Sequence, residues 1–415
     1  MINVRNFRKR GIVLGCALLV LAGFGVGCKT SAASASVAQD ELLKKIPDNF
    51  AFAAAQYERL LAQVQNDPKL PRTYEKGKLV NVTPEDWTSG FFPGSLWFLY
   101  DYTNDPKWLA AATNYTERLD RIKNFRGHHD VGFMLGCSYG HGWRLTKNPA
   151  YRDVLIQGAR TLTTRYKPEV GLIRSWDFGR WKYPVIVDNL MNLELLTFAA
   201  RESGESRLTE IAVSHADKTL QNHFRADFSS YHVVDYNPTN GSILRKMTQQ
   251  GAADDSAWAR GQAWGLYGYT AMFRETRRPA YLAQATNIAN YILNHPRLPA
   301  DKIPYWDFDA PGIPNVPRDA SAAAVMSSAL IELSGFVEQT TAQNYLALAR
   351  QQLLSLSSPA YRAESGETGN FLLKHSVGSH PEGREIDVPL NYADYYFLEA
   401  LLRYRAAQAV GGVAR

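Results

Sequence analysis

The sequence predicts an all-α protein in which helical hairpins form a double-layered α/α toroid. From about residue 48 onward, apolar residues recur at helical spacing and strand-like alternation is almost absent. A unit also recurs along the chain: an aromatic-rich helix, a short turn that often contains proline, and a second helix rich in Ala, Leu and Tyr. The repeat yields about six hairpins, the number at which such units close into a ring. We expect the first helix of each unit to line the inside and the second to form the outer wall.

The N-terminal residues read as a targeting segment. Basic side chains near the start precede an apolar run, Ile12 to Val26, that is too short for a comfortable transmembrane span. Cys28 ends this run, and the pattern resembles a bacterial lipoprotein signal in which Cys28 is the acylated first residue. Gly25 stands where such signals usually have Leu, so ordinary secretion is an alternative. We expect an exported, periplasmic protein that is anchored to a membrane only through Cys28.

The chain therefore divides into three parts. Residues 1–28 are the signal segment, residues 29–47 are a flexible tether of small residues, and residues 48–410 are a single barrel domain. If Cys16 is removed and Cys28 is acylated, Cys137 stands alone, which excludes a disulfide framework and a Cys-based metal site. The net charge of +6 without a clustered basic stripe argues against nucleic-acid binding and favours an anionic small-molecule substrate.

The predicted helices are segments whose apolar residues follow the helical period and whose ends lie at turn residues. An irregular stretch, Pro68 to Gly94, interrupts the series after the first helix and carries an aromatic cluster that starts at Trp87. In chain order the predicted helices are 50–64, 95–102, 108–119, 131–143, 151–166, 189–201, 207–222, 256–273, 279–293, 320–336, 343–356 and 395–406.

Polar residues gather at the starts of the helices that are predicted to be inside. Each one alone is more typical of a helix cap than of a catalytic group. In a ring of parallel inner helices, however, all these starts meet at one end, where the N–H dipoles also favour anions. The sequence therefore predicts a polar mouth. Its residues are His128, His129, Asp130, Asp188, Asn189, Asp254, Asp255, Arg318, Asp319 and Asp394.

Asp130 and Asp188 are the best candidates for a catalytic pair. Two carboxylates that face each other across a cleft are the usual groups for cutting or hydrating a sugar. Asp188 follows Val185-Ile-Val187 and precedes Leu190, so we expect an apolar environment that raises its pKa and keeps it protonated as a general acid. The alternative is that Asp188 only caps a helix.

The segment from Asp254 to Trp264 combines two carboxylates, a guanidinium, an amide and two indoles. Asp255 or Ser256 is expected to cap a helix on which Arg260 and Trp264, four residues apart, share one face. A cation beside a flat apolar ring suits a uronic acid sugar. The alternative is a buried amphipathic helix whose Arg260 pairs with Asp254.

Other candidate residues fall into three groups. Aromatic side chains would form a stacking platform for sugar rings, although each alone is also typical of a core. The histidines lack the regular paired spacing of metal ligands and are expected to act as hydrogen-bond partners. Two serines lie in a predicted loop over the mouth and would bind a carboxylate or sulfate, unless the loop is simply solvated. The members are Trp87, Phe91, Trp176, Trp258 and Trp264; His128, His129 and His232; and Ser376 and Ser379.

Five sequence motifs, taken together, are specific enough to indicate a protein family. They are Trp87-Thr-Ser-Gly-Phe-Phe-Pro-Gly, His129-Asp-Val-Gly-Phe133, Asp188-Asn-Leu-Met-Asn192, Asp254-Asp-Ser-Ala-Trp-Ala-Arg-Gly-Gln-Ala-Trp264 and Asp394-Tyr-Tyr-Phe-Leu-Glu-Ala400. In combination they resemble the unsaturated glucuronyl hydrolases, glycoside hydrolase family 88, over about residues 48 to 407.

The resemblance implies an (α/α)6 barrel that removes a 4,5-unsaturated uronic acid from the non-reducing end of oligosaccharides left by polysaccharide lyases. The implied reaction is hydration: a carboxylic acid protonates C4 of the enol ether, water adds at C5, and the resulting hemiketal opens. Asp188 matches the family's general acid and base, and Asp130 its second essential carboxylate. Substrate contacts are implied for His129, His232, Gln250, Arg260 and Trp264, with Trp87 and Phe91 at the platform.

The expected partners are unsaturated uronate-containing oligosaccharides. No cofactor or metal is expected, and the protein is expected to be a monomer or weak oligomer. Related rhamnogalacturonyl hydrolases tend to have Asn-Gly where this chain has Gln262-Ala263, which favours the glucuronyl side. Relatives that act on sulfated glycosaminoglycans use a Ser-x-x-Ser-x-Lys run, but Pro381 stands in place of the Lys. Two further alternatives are a glycan-binding lipoprotein without activity and an inverting glycosidase that acts on saturated sugars.

Overall fold

The structure is a computed structural model that describes residues 40–413, and it confirms the α/α toroid. The signal segment, Cys28 and the tether up to residue 39 lie outside the described residues. The helices are α1 (Glu41–Val64), α2 (Phe91–Thr103), α3 (Pro106–Glu117), α4 (Val131–Leu135), α5 (His141–Thr146), α6 (Pro149–Thr163), α7 (Leu193–Ser203), α8 (Ser206–Asn222), α9 (Ala259–Thr276), α10 (Pro279–Leu293), α11 (Ala320–Ser334), α12 (Gln339–Leu356) and α13 (Asn391–Val413).

Outer and inner helices alternate along the chain. The π-helical turn Gly136–Gly140 joins α4 to α5, and together they form one inner element. The other inner helices are α2, α7, α9, α11 and α13; neighbouring inner helices pack together, and α13 packs against α2, which closes the ring. The first helix, α1, completes the outer wall beside α12 and packs against the inner helices α2 and α13.

Burial explains why the two layers differ in sequence. An inner helix is covered on all sides, so its faces are mostly small or apolar, and a polar side chain there needs a hydrogen-bond partner. In α9, for example, all residues from Ala259 to Met272 are buried, including Arg260 and Gln262. The outer helix α8 buries one stripe, which begins at Leu208 and ends at Thr219, and leaves its other face in water.

Short turns at one end of the barrel connect inner helices to outer ones. Asn104 and Lys147 adopt left-handed backbone conformations that end α2 and α5. The next residues, Asp105 and Asn148, accept hydrogen bonds from backbone N–H groups of the outer helices, and a proline follows each of them. These turns lie where the sequence predicts them.

Long connections at the other end carry short antiparallel strands, which the helical periodicity did not predict. Most have two to five residues, too few for alternation to be visible in the sequence. Strands pair as β1 (Leu70–Glu75) with β2 (Lys78–Val82), β3 (Tyr166–Lys167) with β4 (Leu172–Ile173), β5 (Pro184–Ile186) with β6 (Val233–Tyr236), β6 with β7 (Ile243–Met247), and β8 (Ser376–Ser379) with β9 (Arg384–Val388). All of them connect an outer helix to the next inner helix and therefore surround the predicted mouth.

Several predicted boundaries need correction; α2, for example, begins at Phe91 and α13 at Asn391, each four residues before the predicted start. Residues 41–47, which were expected to belong to the tether, are the start of α1: Asp40 accepts a hydrogen bond from the Leu42 backbone N–H, and Leu42 and Ile46 are buried. Helix α9 begins at Ala259 and not at Ser256. In the described part of the chain, no helix is long and apolar enough to span a membrane.

Candidate active site

Asp188 lies in a tightly held turn between two inner helices. The 3-10 turn Val187–Asn192 follows β5 directly. A Cβ added to Gly132 of α4 would lie 2.5 Å from the Asn192 Cα, and one added to Gly268 of α9 would lie 2.4 Å from the Leu190 Cβ. Because only glycine permits such close approach, the two glycines fix the turn from both sides.

The Asp188 carboxyl is suited to hold a proton near neutral pH. Its residue is 8% exposed, the cap position of its 3-10 turn is occupied by Ile186, and Oδ2 has no hydrogen-bond partner among the described residues. Burial raises the pKa of Asp188 to about 7; the charge of Asp130 adds to this effect, while Arg260 opposes it. The alternative that Asp188 only caps a helix does not fit this geometry.

Asp130 immediately precedes α4 and is held by two imidazole rings. His129 Nε2 is 3.3 Å from Oδ1, and His128 Nδ1 is 3.0 Å from Oδ2. Burial acts to raise the pKa of Asp130, but His129 and His128 outweigh burial and keep this pKa below its usual value. At neutral pH, Asp130 is therefore ionised while a large fraction of Asp188 is protonated. This difference assigns opposite chemical roles to the two carboxyls.

Hydrogen bonds determine which nitrogen of His232 carries the proton. The backbone N–H groups of Gln249 and Gln250 both donate to Nδ1 at 3.1 Å. Burial, helped by the charge of Arg260, lowers the pKa of His232 to about 3, so the ring is neutral and its proton lies on Nε2. Nε2 is 3.7 Å from Asp188 Oδ2, and the N–H group faces that carboxyl.

His129 is oriented by a second set of contacts. Ser175 Oγ accepts a hydrogen bond from the Ile186 N–H at 3.0 Å and lies 3.4 Å from His129 Nδ1. Burial lowers the pKa of His129 to about 4 in spite of the neighbouring Asp130, so this ring is also neutral. The hydroxyl therefore donates to Nδ1, and the Nε2–H group donates toward Asp130. The prediction that the histidines act as hydrogen-bond partners agrees with these contacts.

Arg260 is fully buried, and its guanidinium already has protein partners. Nη1 donates to Asp319 Oδ2 at 2.9 Å and to the Val377 carbonyl, and Nη2 donates to the Gly378 carbonyl at 2.6 Å. Direct binding of a uronate by these nitrogens would require their present bonds to be exchanged. In this structure Arg260 anchors strand β8 and partly offsets the burial of Asp188. The alternative pairing of Arg260 with Asp254 is not observed.

The aromatic residues form the floor of the site. Trp264 and Phe91 are fully buried and pack around Phe133, so neither offers a ring face for stacking in this structure. The Trp264 indole instead acts to lower the pKa of Asp188, against the larger effect of burial. Trp87 is only half-buried and lies edge-on to Phe91. Of these rings, Trp87 is the one that remains partly exposed.

The β8–β9 hairpin brings both predicted serines next to Arg260. The Oγ atoms of Ser376 and Ser379 are buried and have no hydrogen-bond partner among residues 40–413. Gln250 Nε2 donates to the Gly378 carbonyl at 2.9 Å, which ties the predicted Gln250 to the same hairpin. The serines, Gln250, His232 and Arg260 therefore belong to one side of the mouth. The segment that was predicted to be a loop is a β-hairpin, and binding of a carboxylate or sulfate by its serines stays a prediction.

Several residues of the predicted mouth have other tasks. Asp254 and Asp255 are exposed, and neither caps α9. Gln262 is buried and accepts a hydrogen bond from the Ser230 N–H, so it holds a neighbouring loop and does not face the mouth. Asp394 lies inside α13, where it accepts hydrogen bonds from the backbone of residues 372 and 373. Of this set only Asp319 caps its own helix, α11, through its side chain.

Two supporting residues of the site were not predicted from the sequence. Ser175 orients His129, and Asn192 accepts a hydrogen bond from the Phe133 N–H while contributing to the low pKa of Asp130. Asn192 ends the motif that begins at Asp188, and its position four residues later could have indicated that it supports the site. Ser175 had no such signal, because its contacts join distant parts of the chain.

An α/α barrel with one ionised and one protonated carboxyl at its mouth has the pair of groups that glycoside hydrolases use. The family model for Glycosyl Hydrolase Family 88 matches residues 64–399. The chain belongs to this family. It is 47% identical over 325 residues to an unsaturated glucuronyl hydrolase of Formosa agariphila, a match that covers 78% of this chain and 80% of the relative.

Other relatives carry related names. An unsaturated chondroitin disaccharide hydrolase of Streptococcus pyogenes is 34% identical over 325 residues, with 77% of this chain and 81% of that protein covered. A crystal structure described as an unsaturated glucuronyl hydrolase specific for heparin superimposes with a TM-score of 0.86 at 47% identity, and covers 89% of this chain and 98% of that one. These similarities do not favour the pectin-degrading alternative.

Proposed function

We propose that the protein removes the 4,5-unsaturated uronic acid from the non-reducing end of oligosaccharides by hydrating its double bond. The observation that carries this proposal is the contrast between Asp188, whose pKa is raised to about 7, and Asp130, whose pKa is lowered. Protonation of a carbon atom needs a neutral acid, and the cation that results needs a negative charge nearby.

The reaction needs only the carboxyl groups of Asp188 and Asp130 and one water molecule. Asp188 donates its proton to C4 of the enol ether, and the C5 cation that forms is stabilised by ionised Asp130. Water then adds at C5 and gives a proton back to Asp188, which is again an acid. The hemiketal opens by cleavage of its ring C5–O bond, which leaves a ketone at C5 and a hemiacetal at C1. Collapse of this hemiacetal to an aldehyde breaks the glycosidic bond and releases the rest of the oligosaccharide as an alcohol. Neutral His232, whose N–H group faces Asp188, favours the ionised form of that carboxyl after the first step.

Oligosaccharides of the heparin type are the first substrates to test, because the heparin-specific structure shares 47% of its residues with this chain. We expect the protein to bleach the ultraviolet absorbance of unsaturated disaccharides prepared from heparin, chondroitin or hyaluronan. A saturated glucuronide serves as the matched control and should not be hydrolysed. Constant absorbance on every unsaturated substrate would contradict the proposed reaction, and cleavage of the saturated glucuronide would indicate an inverting glycosidase.

We further propose that the protein is exported and attached to a membrane through acylated Cys28. The basic residues and the apolar run before this cysteine support the proposal. In cells grown with a radiolabelled fatty acid, the wild-type protein should be labelled and Cys28→Ala should not. Cys137→Ala is the control, because that thiol is buried in the barrel. Equal labelling of Cys28→Ala and the wild type would rule out the anchor.

A further inference from the structure

An exposed aromatic and basic patch lies outside the proposed chemistry. It consists of Phe178, Arg180, Trp181 and Arg245 and is called the aromatic patch below. Phe178 is 67% exposed, and its ring stacks on Trp176 with centroids 5.4 Å apart and an angle of 17° between the planes. The half-buried Trp181 ring has the guanidinium groups of Arg180 and Arg245 5.4 Å and 4.9 Å from its centroid. An aromatic ring that is as exposed as Phe178 and lies beside cationic side chains is typical of a binding surface.

The aromatic patch continues the wall of the active site. Trp176 and Trp181 pack on Ile186 of β5 and Val233 of β6. Ile186 lies two residues before the catalytic Asp188, and Val233 directly follows His232. The residue before Trp176 is Ser175, which orients His129. An oligosaccharide whose unsaturated end reaches Asp188 can therefore leave the mouth along Trp176 toward Phe178.

One charge of the aromatic patch is free to bind an anionic chain. Within residues 40–413, Arg180 is exposed and has no ion-pair partner, whereas Arg245 is paired with Asp235 at 3.2 Å. The nearby Asp177 is paired with Arg165 at 2.8 Å and with Arg174 at 3.0 Å, so its negative charge is already compensated. Carboxylate and sulfate groups are the partners that free guanidinium groups bind best. A neutral glycan has no charged group that could pair with the guanidinium of Arg180.

We propose that the aromatic patch is a distal subsite that binds an anionic sugar two or more positions from the unsaturated end. Phe178 stacks on the apolar face of that sugar ring, and Arg180 pairs with its carboxylate or sulfate. A disaccharide is too short to reach this subsite, whereas a tetrasaccharide reaches it. The inference rests on the proposed function and adds a preference for longer, negatively charged chains.

The test compares unsaturated di- and tetrasaccharides from the same polysaccharide, the one whose disaccharide the wild type cleaves best. The quantity measured is the ratio of kcat/KM on the tetrasaccharide to kcat/KM on the disaccharide. Phe178→Ala should lower this ratio by about tenfold, mainly through KM, because a stacked ring contact is lost. Arg180→Ala should lower it by about threefold to tenfold, with a smaller effect at high salt. Arg207→Ala, an exposed arginine on outer helix α8, should leave the ratio unchanged.

Each alternative result has a distinct meaning. An unchanged ratio in both Phe178→Ala and Arg180→Ala would overturn the subsite while the proposed function stands. If Phe178→Ala changes the molar mass in light scattering and not the ratio, the aromatic patch is an interface between copies of the chain and the subsite is refuted. A wild type that cleaves neither substrate would remove the proposed function and the subsite with it.

Discussion

Replacement of Asp188 by Asn is expected to lower kcat by about a thousandfold, within the range that a positioned general acid contributes. Asn has nearly the same shape as Asp but cannot donate a proton to C4 of the double bond. Binding should change little, because the substrate meets this carboxyl in its neutral form. KM should therefore stay within about threefold of the wild-type value. Steady-state ultraviolet assays on an unsaturated disaccharide measure both constants.

The matched control for this variant is Asp255→Asn. Asp255 is an exposed carboxylate on the loop before α9, and we expect wild-type kcat and KM from its replacement. Thermal unfolding of both variants checks that the barrel is intact. If Asp188→Asn retains more than about one tenth of the wild-type kcat, proton donation must be assigned to another group.

The environment of Asp188 could be predicted from its neighbours in sequence. The flanking residues Val185 to Val187 and Leu190 indicate burial, and the structure buries this carboxyl and raises its pKa. The helical pattern and the proline turns were also visible, because both depend on residues that are close in the chain. Local sequence therefore predicted the barrel and the best candidate acid.

Contacts between distant segments explain what the sequence did not predict. Helix α9 does not need Asp255 as a cap, because the carbonyl of Trp306 and the side chain of Asp309 accept hydrogen bonds from the backbone of residues 259 and 257. Arg260 bonds to carbonyl groups of β8, more than a hundred residues away. Helical spacing shows that Arg260 and Trp264 share a face, but it does not show that other elements cover that face.

The negative charge of Asp130 is expected to contribute strongly to catalysis. We expect Asp130→Asn to lower kcat by about a hundredfold or more, because the charge that stabilises the developing cation is removed. Asp130→Asn should also shift the dependence of kcat on pH. In the wild type, activity should fall as the pH rises through about 7, since Asp188 then loses the proton that it must donate.

The direction of this shift follows from the like charges of the two carboxylates. Ionised Asp130 raises the pKa of Asp188, so the neutral Asn at position 130 should lower that pKa and move the alkaline fall of activity to lower pH. Profiles of kcat against pH for the wild type and Asp130→Asn measure the displacement, and Asp255→Asn provides a carboxylate-to-amide control away from the pair. An alkaline limb that stays in place, or moves to higher pH, would show that the charge of Asp130 does not raise the pKa of Asp188.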